Sequence, residues 1–304
     1  MTKTVDAKSL KAMLNDGAEL ALLDMREEGE FGVAHMLYAI PLPYSTLEMR
    51  LGVLVPRRTT RTVLIDAGDD VGARAAARMA ALGYTDVSVL DGGMKAWDAA
   101  GYEVFMGVNV PCKAFGEVVE HAAHTPSISA EELHAMQSSG EKVVILDGRT
   151  PAEFNRMSIP GGVSVPNAEL VYRVHDFAPE PDTTVVVNCA GRTRSIIGAQ
   201  TLINARIPNK VVALRGGTMG WRLAGFELDH GSDRSYGDLS AAARDQALTY
   251  ADGMKTHWSV KTIDRATLEK WRAEENRTTY LLDVRSQEEF EAGHMPGSVF
   301  APGG

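Results

Sequence analysis

Cys189 directly follows the strand-like run Val185–Asn188 and is followed by Arg192 and Arg194 in one short, glycine-containing segment. A thiolate is a strong nucleophile, and guanidinium groups bind oxyanions. A helix-like stretch begins near Ser195, so backbone N–H groups and a helix N-terminus can converge on the thiol. Most free cysteines are buried and inert, but the glycine and the two arginines favour a reactive one here. The pattern predicts a nucleophilic cysteine beside a bound anion.

Length and composition indicate an ordinary globular protein. The chain has 304 residues, enough for two domains and a further element, and 44% of them are hydrophobic. No apolar run reaches the length of a membrane-spanning helix, and the N-terminus lacks the apolar core of a signal peptide. Two cysteines argue for a reducing compartment, and a net charge of −9 argues against nucleic acid. We therefore expect a cytoplasmic protein that binds neither a membrane nor nucleic acid.

The sequence contains internal repeats. An apolar pair followed by Asp-x-Arg occurs three times, and a Glu-Phe pair follows each aspartate at the same distance. These copies are Leu22–Arg26, Ile145–Arg149 and Leu281–Arg285, with the pairs Glu30-Phe31, Glu153-Phe154 and Glu289-Phe290. A Gly-Gly pair with a following tryptophan occurs twice, at Gly92-Gly93 with Trp97 and at Gly216-Gly217 with Trp221. The chain therefore contains two complete homologous units and the beginning of a third.

Each complete unit alternates helix-like segments with short strand-like segments. In the second unit the strand-like segments are Val143–Leu146, Thr184–Asn188 and Lys210–Leu214, and a helix-like segment covers Ser195–Ile203. Short, almost wholly apolar strands separated by helices predict an α/β fold, a parallel sheet with helices on both faces. Ligands bind at the carboxyl ends of the strands in such sheets. Cys189 follows one of those ends.

Taken together, these motifs resemble the rhodanese family of sulfurtransferases. The resemblance rests on Asp147-x-Arg149 with Glu153-Phe154 and Ile159-Pro160-Gly161, on the Cys189 loop, and on Arg215-Gly216-Gly217 with Trp221. It covers nearly all of the chain and implies tandem rhodanese-like domains, each an α/β parallel sheet with helices on both faces. It also implies an enzyme that moves sulfane sulfur from thiosulfate or a similar anionic donor, through a cysteine persulfide, to cyanide or a thiol that a protein could carry.

The resemblance assigns the site as well. Cys189 would be the catalytic residue, and the substrate-binding residues would be Ala190, Gly191, Arg192, Thr193, Arg194, Ser195 and, ahead of the cysteine strand, Arg173. The two loop arginines would hold the oxyanion end of the donor. The loop differs from the Gly-Ser/Thr-Gly-Val type of mercaptopyruvate enzymes, which favours thiosulfate as the donor. No cofactor is expected, and no metal, because the histidines lack the spacing of metal ligands.

Only the second unit is expected to be active. Asp66 takes the place of Cys189 in the first unit, at the separation that relates Asp24 to Asp147, and two more aspartates follow it. A carboxylate cannot carry sulfane sulfur, and three acids repel an anionic donor.

The predicted organisation has four parts. Residues 1–107 form an inactive rhodanese-like domain, 124–230 the catalytic rhodanese domain, 231–257 a linker containing a helix, and 258–304 the N-terminal part of a third, incomplete rhodanese-like domain. Cys112 lies in the connection between the first two domains. The sequence predicts neither a glycine nor a helix start after it, so we expect it to be a bystander.

Two other functions fit parts of the pattern. A rhodanese-like array could carry a persulfide to a partner, or dock a protein, without turning over small molecules. A phosphatase or arsenate reductase holds its anion in a similar Cys-to-Arg loop, but the loop from Cys189 to Arg194 is one residue shorter than the phosphatase type.

Overall fold

A computed structural model describes residues 2–302 of the chain. It divides into two compact units. One contains the residues up to Pro111 together with Arg265–Thr279, and the other contains Cys112–Asp264 together with the residues from Tyr280 onward. None of the helices in the described range is long and apolar enough to cross a bilayer.

The first unit is built on a five-stranded parallel sheet. Its elements are β1 (Thr4–Val5), α1 (Ala7–Met13), β2 (Ala21–Asp24), α2 (Glu28–Val33), β3 (Ile40–Pro41), α3 (Leu47–Leu54), β4 (Thr62–Ile65), α4 (Val71–Ala81), β5 (Val87–Leu90) and α5 (Gly93–Ala99). The strand order is β1-β5-β4-β2-β3. Alternate strand residues face opposite sides of the sheet. Leu23 and Leu64 pack with α3 and α4 on one face, whereas Leu22 and Val63 pack with α1, α2 and α5 on the other.

The connection between the first two repeats is a helix, α6 (Val110–Ala123). Pro111 suits the first turn, where its missing N–H would have no intrahelical partner. Cys112 lies in the same turn and is exposed. The expectation that no helix begins near Cys112 is therefore wrong.

The second unit repeats the same architecture. Its elements are β6 (Ser127–Ile128), α7 (Ala130–Ser139), β7 (Val143–Asp147), α8 (Pro151–Arg156), β8 (Val163–Ser164), α9 (Leu170–Phe177), β9 (Thr184–Asn188), α10 (Thr193–Asn204), β10 (Val211–Leu214) and α11 (Gly217–Leu223). The parallel strands follow the equivalent order β6-β10-β9-β7-β8. Val185 and Val187 pack against α9 and α10, and Val186 packs with Leu133 and Trp221 on the opposite face. The predicted α/β fold class is confirmed.

Five elements follow the second repeat. They are α12 (Ala241–His257), α13 (Arg265–Ala273), β11 (Leu282–Asp283), α14 (Gln287–Ala292) and β12 (Val299–Phe300). Ala243, Ala247 and Tyr250 share one face of α12 and are buried. Tyr250 belongs to the same apolar cluster as Val185. The segment 231–257, predicted to be a linker, thus contributes side chains to the core of the second unit.

The third copy of the Asp-x-Arg motif has the same local structure as the other two. In each copy the arginine Nη2 donates to the aspartate and to a carbonyl oxygen eight residues further on: Arg26 to Ala34, Arg149 to Met157, and Arg285 to Gly293. Asp283 and Arg285 are more exposed than their counterparts. That residues 258–304 begin a third domain stays a prediction.

The cores make a direct prediction about stability. Leu202 is fully buried in the cluster that covers β9, so we expect Leu202→Ala to destabilise the second unit by about 2–5 kcal/mol. Leu248 lies on α12 and is 60% exposed, so Leu248→Ala should change stability by about 0.5 kcal/mol or less. Urea unfolding of both variants compares them, and equal costs would contradict this assignment of the core.

Candidate active site

Cys189 lies at the carboxyl end of β9 and begins a loop that leads into α10. β9 is the central strand of its sheet, between β10 and β7. Cys189 is 2% exposed. The parallel sheet therefore places the thiol at the middle of its carboxyl edge, where ligands bind in folds of this class.

The N-terminus of α11 holds the carbonyl groups of the loop. The Thr218 N–H donates to the Cys189 carbonyl at 2.9 Å, and the Met219 N–H donates to the Ala190 carbonyl at 3.1 Å. Gly217 adopts a φ of +55°, and a Cβ at this position would clash with the Cys189 carbonyl. The Gly-Gly motif thus allows α11 to approach the loop closely.

The N–H groups of the loop remain available. Among the described residues none accepts a hydrogen bond from the N–H groups of residues 190–195. The last three of these groups open α10, where helix geometry provides no acceptor. Six N–H donors in the loop that begins at one cysteine, at a helix N-terminus, form an environment suited to a bound anion.

The equivalent loop of the first unit contains its own anion. The Asp66 carboxylate accepts hydrogen bonds from the N–H groups of Gly68, at 2.8 Å, and Gly72, at 3.0 Å. Asp69 accepts from the Val71 N–H at 3.0 Å. These carboxylates thus already occupy three of the loop N–H groups, and the loop has no cysteine. The geometry supports the prediction that the first unit is inactive.

Arg192, one of the two predicted oxyanion ligands, is ion-paired with α6. Its Nε lies 2.7 Å from Glu117 Oε1 and its Nη2 lies 3.0 Å from Glu117 Oε2. Nη2 also donates to Glu120 Oε2. Half of the arginine side chain is exposed. The hydrogen bonds from Arg192 hold the pKa of the Glu117 carboxyl below its usual range.

Arg194 is paired in the same way with a different carboxylate. Its Nη1 and Nη2 lie 2.8 and 2.7 Å from the two oxygens of Glu153. Glu153 also completes a capping box with Thr150 at the start of α8. The hydrogen bonds from Arg194, ahead of those from Thr150, lower the pKa of Glu153 to about 2.

The structure does not bring Arg173 into the loop. Its Nε lies 2.6 Å from Glu169 Oε2, its Nη1 lies 3.0 Å from the Gly237 carbonyl, and its guanidinium stacks over the Tyr236 ring. None of these described contacts involves residues 189–195. The role predicted for Arg173 at the substrate thus has no geometric support.

A buried polar network lies beneath the loop. The Asp147 carboxylate accepts from Arg149 and, at 2.7 Å, from Asn188 Nδ2. The Asn167 Nδ2 donates to the Arg194 carbonyl at 3.0 Å. The Asn188 amide joins the repeated Asp-x-Arg clamp to the strand that delivers the cysteine, and the Asn167 amide binds the first turn of α10. Isoleucine replaces Asn188 at the equivalent place in the first unit, Ile65.

Sequence reasoning missed the three carboxylates that hold the loop arginines. In the sequence, Glu153 stands out only as part of the repeated Glu-Phe pair. Glu117 and Glu120 lie in the segment interpreted as a plain connection, and their spacing on one helix face was the available signal. The described part of the chain contains no group of three His, Cys, Asp or Glu side chains that could hold a metal ion.

A buried cysteine at the carboxyl edge of a parallel sheet, inside a loop whose N–H groups have no acceptor among the described residues, defines an α/β protein with a candidate anion site centred on that cysteine. Residues 6–100 and 129–224 match the model of the rhodanese-like domain family. The chain belongs to the rhodanese-like domain family and carries two copies of its domain.

Known proteins resemble this chain over different shares of its length. The crystal structure of thiosulfate sulfurtransferase from Pseudomonas aeruginosa matches with a TM-score of 0.95 and 51% identity, over 99% of this chain and 57% of that chain. This chain thus spans little more than half of that protein. An HTH-type transcriptional regulator of Mycobacterium tuberculosis is 27% identical over 237 residues, which are 75% of this chain and 92% of that protein. A sulfurtransferase of Allochromatium vinosum is 29% identical over 101 residues, which are 33% of this chain and 92% of that protein.

The close approach of α11 predicts different tolerances for two glycines of the site. Gly217→Ala should destabilise the second unit by more than about 1 kcal/mol, because it adds a clash to a left-handed φ. Gly191→Ala should change stability little, because a Cβ there meets nothing within 4 Å. Thermal unfolding of both variants measures this. Equal shifts would show that contact with α11 does not constrain the loop.

The Glu153–Arg194 pair predicts a pH dependence of stability. The folded-state pKa of Glu153 is about 2 against an ordinary 4.5, so the pair stabilises fully above about pH 4.5 and its contribution disappears as pH falls toward about pH 2. The stability difference between wild type and Glu153→Gln should therefore shrink over that interval. Urea unfolding at a series of pH values measures it. Glu227→Gln, which removes an exposed partner of Arg222, is the control, and the same pH trend in both variants would contradict the assignment.

Proposed function

We propose that this protein is a rhodanese-type sulfurtransferase that takes sulfane sulfur from thiosulfate or a similar donor and transfers it through a Cys189 persulfide. The observation that carries the proposal is the buried Cys189 thiol within a loop whose six N–H groups have no acceptor. The 51% identity to the Pseudomonas aeruginosa thiosulfate sulfurtransferase supports the choice of donor. Two free cysteines fit a reducing compartment, so we assign the protein to the cytoplasm.

The reaction proceeds in two displacements at sulfur. The Cys189 thiolate attacks the outer sulfur of thiosulfate, a new S–S bond forms, and the old S–S bond breaks with its electron pair leaving on sulfite. Cyanide or a thiolate then attacks the terminal sulfur of the persulfide and regenerates the Cys189 thiolate. The loop N–H groups stabilise the negative charge on sulfur in every intermediate state.

The loop arginines retain donors for the sulfonate end of thiosulfate. A guanidinium group has five N–H donors, and Arg192 uses only its Nε and Nη2 on the carboxylates of α6. Arg194 uses Nη1 and Nη2 on Glu153. Each arginine can therefore bind an oxyanion while it keeps part of its ion pair.

Ser195 is a further donor to the reacting sulfur. Its Oγ is buried and has no hydrogen-bond partner among the described residues. In the first unit a Cβ at the equivalent Gly72 would lie 2.6 Å from Asp66 Oδ2. From this equivalence we infer that the Ser195 side chain lies near that of Cys189. A buried hydroxyl without a partner is costly, and the charged sulfur of Cys189 would satisfy it.

Cys189 and Cys112 provide a matched test. We expect thiosulfate to add one sulfur atom to the wild type by intact-mass measurement, and cyanide to remove it as thiocyanate. Cys189→Ser should abolish both steps because the nucleophile is lost, whereas Cys112→Ser, at an exposed thiol, should retain them. Thiocyanate formation at the wild-type rate by Cys189→Ser would refute the proposal. Loading of Cys189 without turnover would instead favour a persulfide carrier.

A further inference from the structure

Helix α6 lies against the catalytic loop although it is not part of the family's domain. It falls between the two ranges that match the family model, 6–100 and 129–224. Gly116 is buried, and a Cβ at this position would lie 2.8 Å from Thr193 Cγ2. A larger residue at this position would require the Thr193 side chain or the helix to shift. This chain thus adds a closely packed helix to the edge of its active site.

The face of α6 that meets the loop is acidic. Glu117 and Glu120 lie one turn apart, and both bind the guanidinium of Arg192. Arg194 is bound by Glu153. Three carboxylates therefore surround the two cations of the loop. An approaching anion meets a set of side chains with net negative charge in place of two free guanidinium groups.

We propose that Glu117 and Glu120 form an electrostatic gate that selects the donor by its charge. A dianion such as thiosulfate is repelled by the gate and must compete with it for Arg192. A monoanion such as an alkanethiosulfonate, which also carries a transferable outer sulfur, is repelled less. The gate acts on capture of the donor and leaves the displacement at Cys189 unchanged. The inference rests on the proposed function of Cys189.

Steady-state kinetics with cyanide as the acceptor tests the gate. In the double variant Glu117→Gln with Glu120→Gln, we expect kcat/KM for thiosulfate to rise about five-fold at low salt, as for the loss of exposed ion-pair partners. Its kcat should stay constant. For methanethiosulfonate the rise should be about two-fold or less, because the donor carries half the charge. Added salt should reduce both effects.

Two comparisons separate a gate from a general change of charge. Glu180 and Asp182 bind Lys142 just before β9, at the opposite end of the strand from Cys189. Glu180→Gln with Asp182→Asn removes the same charge there and should leave kcat/KM unchanged. In an Arg192→Gln background the competition for Arg192 is absent and only the repulsion remains, so the two gate substitutions should raise kcat/KM for thiosulfate by less than they do with Arg192 present.

Three results would overturn the gate: unchanged kcat/KM for thiosulfate in the double variant, an equal rise in the Glu180 and Asp182 control, or a full rise in the Arg192→Gln background. Intact mass keeps the proposed function separate from the gate. If thiosulfate loads Cys189 but kcat/KM does not respond, only the gate fails. If neither the wild type nor the double variant takes up sulfur on Cys189, the proposed function fails, and the gate fails with it.

Discussion

The active site depends on the direction of the peptide groups in one loop. Two N–H groups of α11 bind the carbonyls of Cys189 and Ala190, and no described residue binds the N–H groups that follow. Because of this division, the first two carbonyl groups of the loop are bound by α11, whereas the N–H groups of the loop have no acceptor among the described residues. It requires a glycine at 217, because any side chain there would clash with the Cys189 carbonyl. The Gly-Gly pair far along the chain is therefore as much a part of the site as the cysteine.

The two units show how one backbone arrangement supports two outcomes. The sheet order is equivalent in both, and each has a Gly-Gly turn at the start of its last helix. In the first unit Asp66 supplies a permanent carboxylate to the loop N–H groups. In the second unit Cys189 stands in place of Asp66, and no described residue accepts a hydrogen bond from the N–H groups of residues 190–195. Where the second unit has a cysteine, the first unit thus has a carboxylate that, together with Asp69, occupies three of the loop N–H groups.

The charges around the active loop balance more closely than the loop sequence suggests. Two arginines within a few residues of each other suggest that the loop attracts anions strongly. The fold provides a carboxylate partner for each, Glu153 for Arg194 and the pair on α6 for Arg192. These pairs are partly exposed, so each contributes little to stability. Their main consequence is that the electrostatic potential at the entrance to the site depends on residues outside the loop.

The sequence by itself determined the α/β class, the duplication, the cysteine at the end of β9 and the aspartate, Asp66, that takes its place in the first unit. These features follow from short-range patterns: apolar strands, glycine pairs and motifs at a constant separation. Only the tertiary structure decided which side chains meet the loop. Arg173 pairs with Glu169 and stacks on Tyr236, and α12 enters a core. Such contacts arise where helices distant in the chain pack together, and no local period or spacing encodes which charged side chains then come within reach of each other.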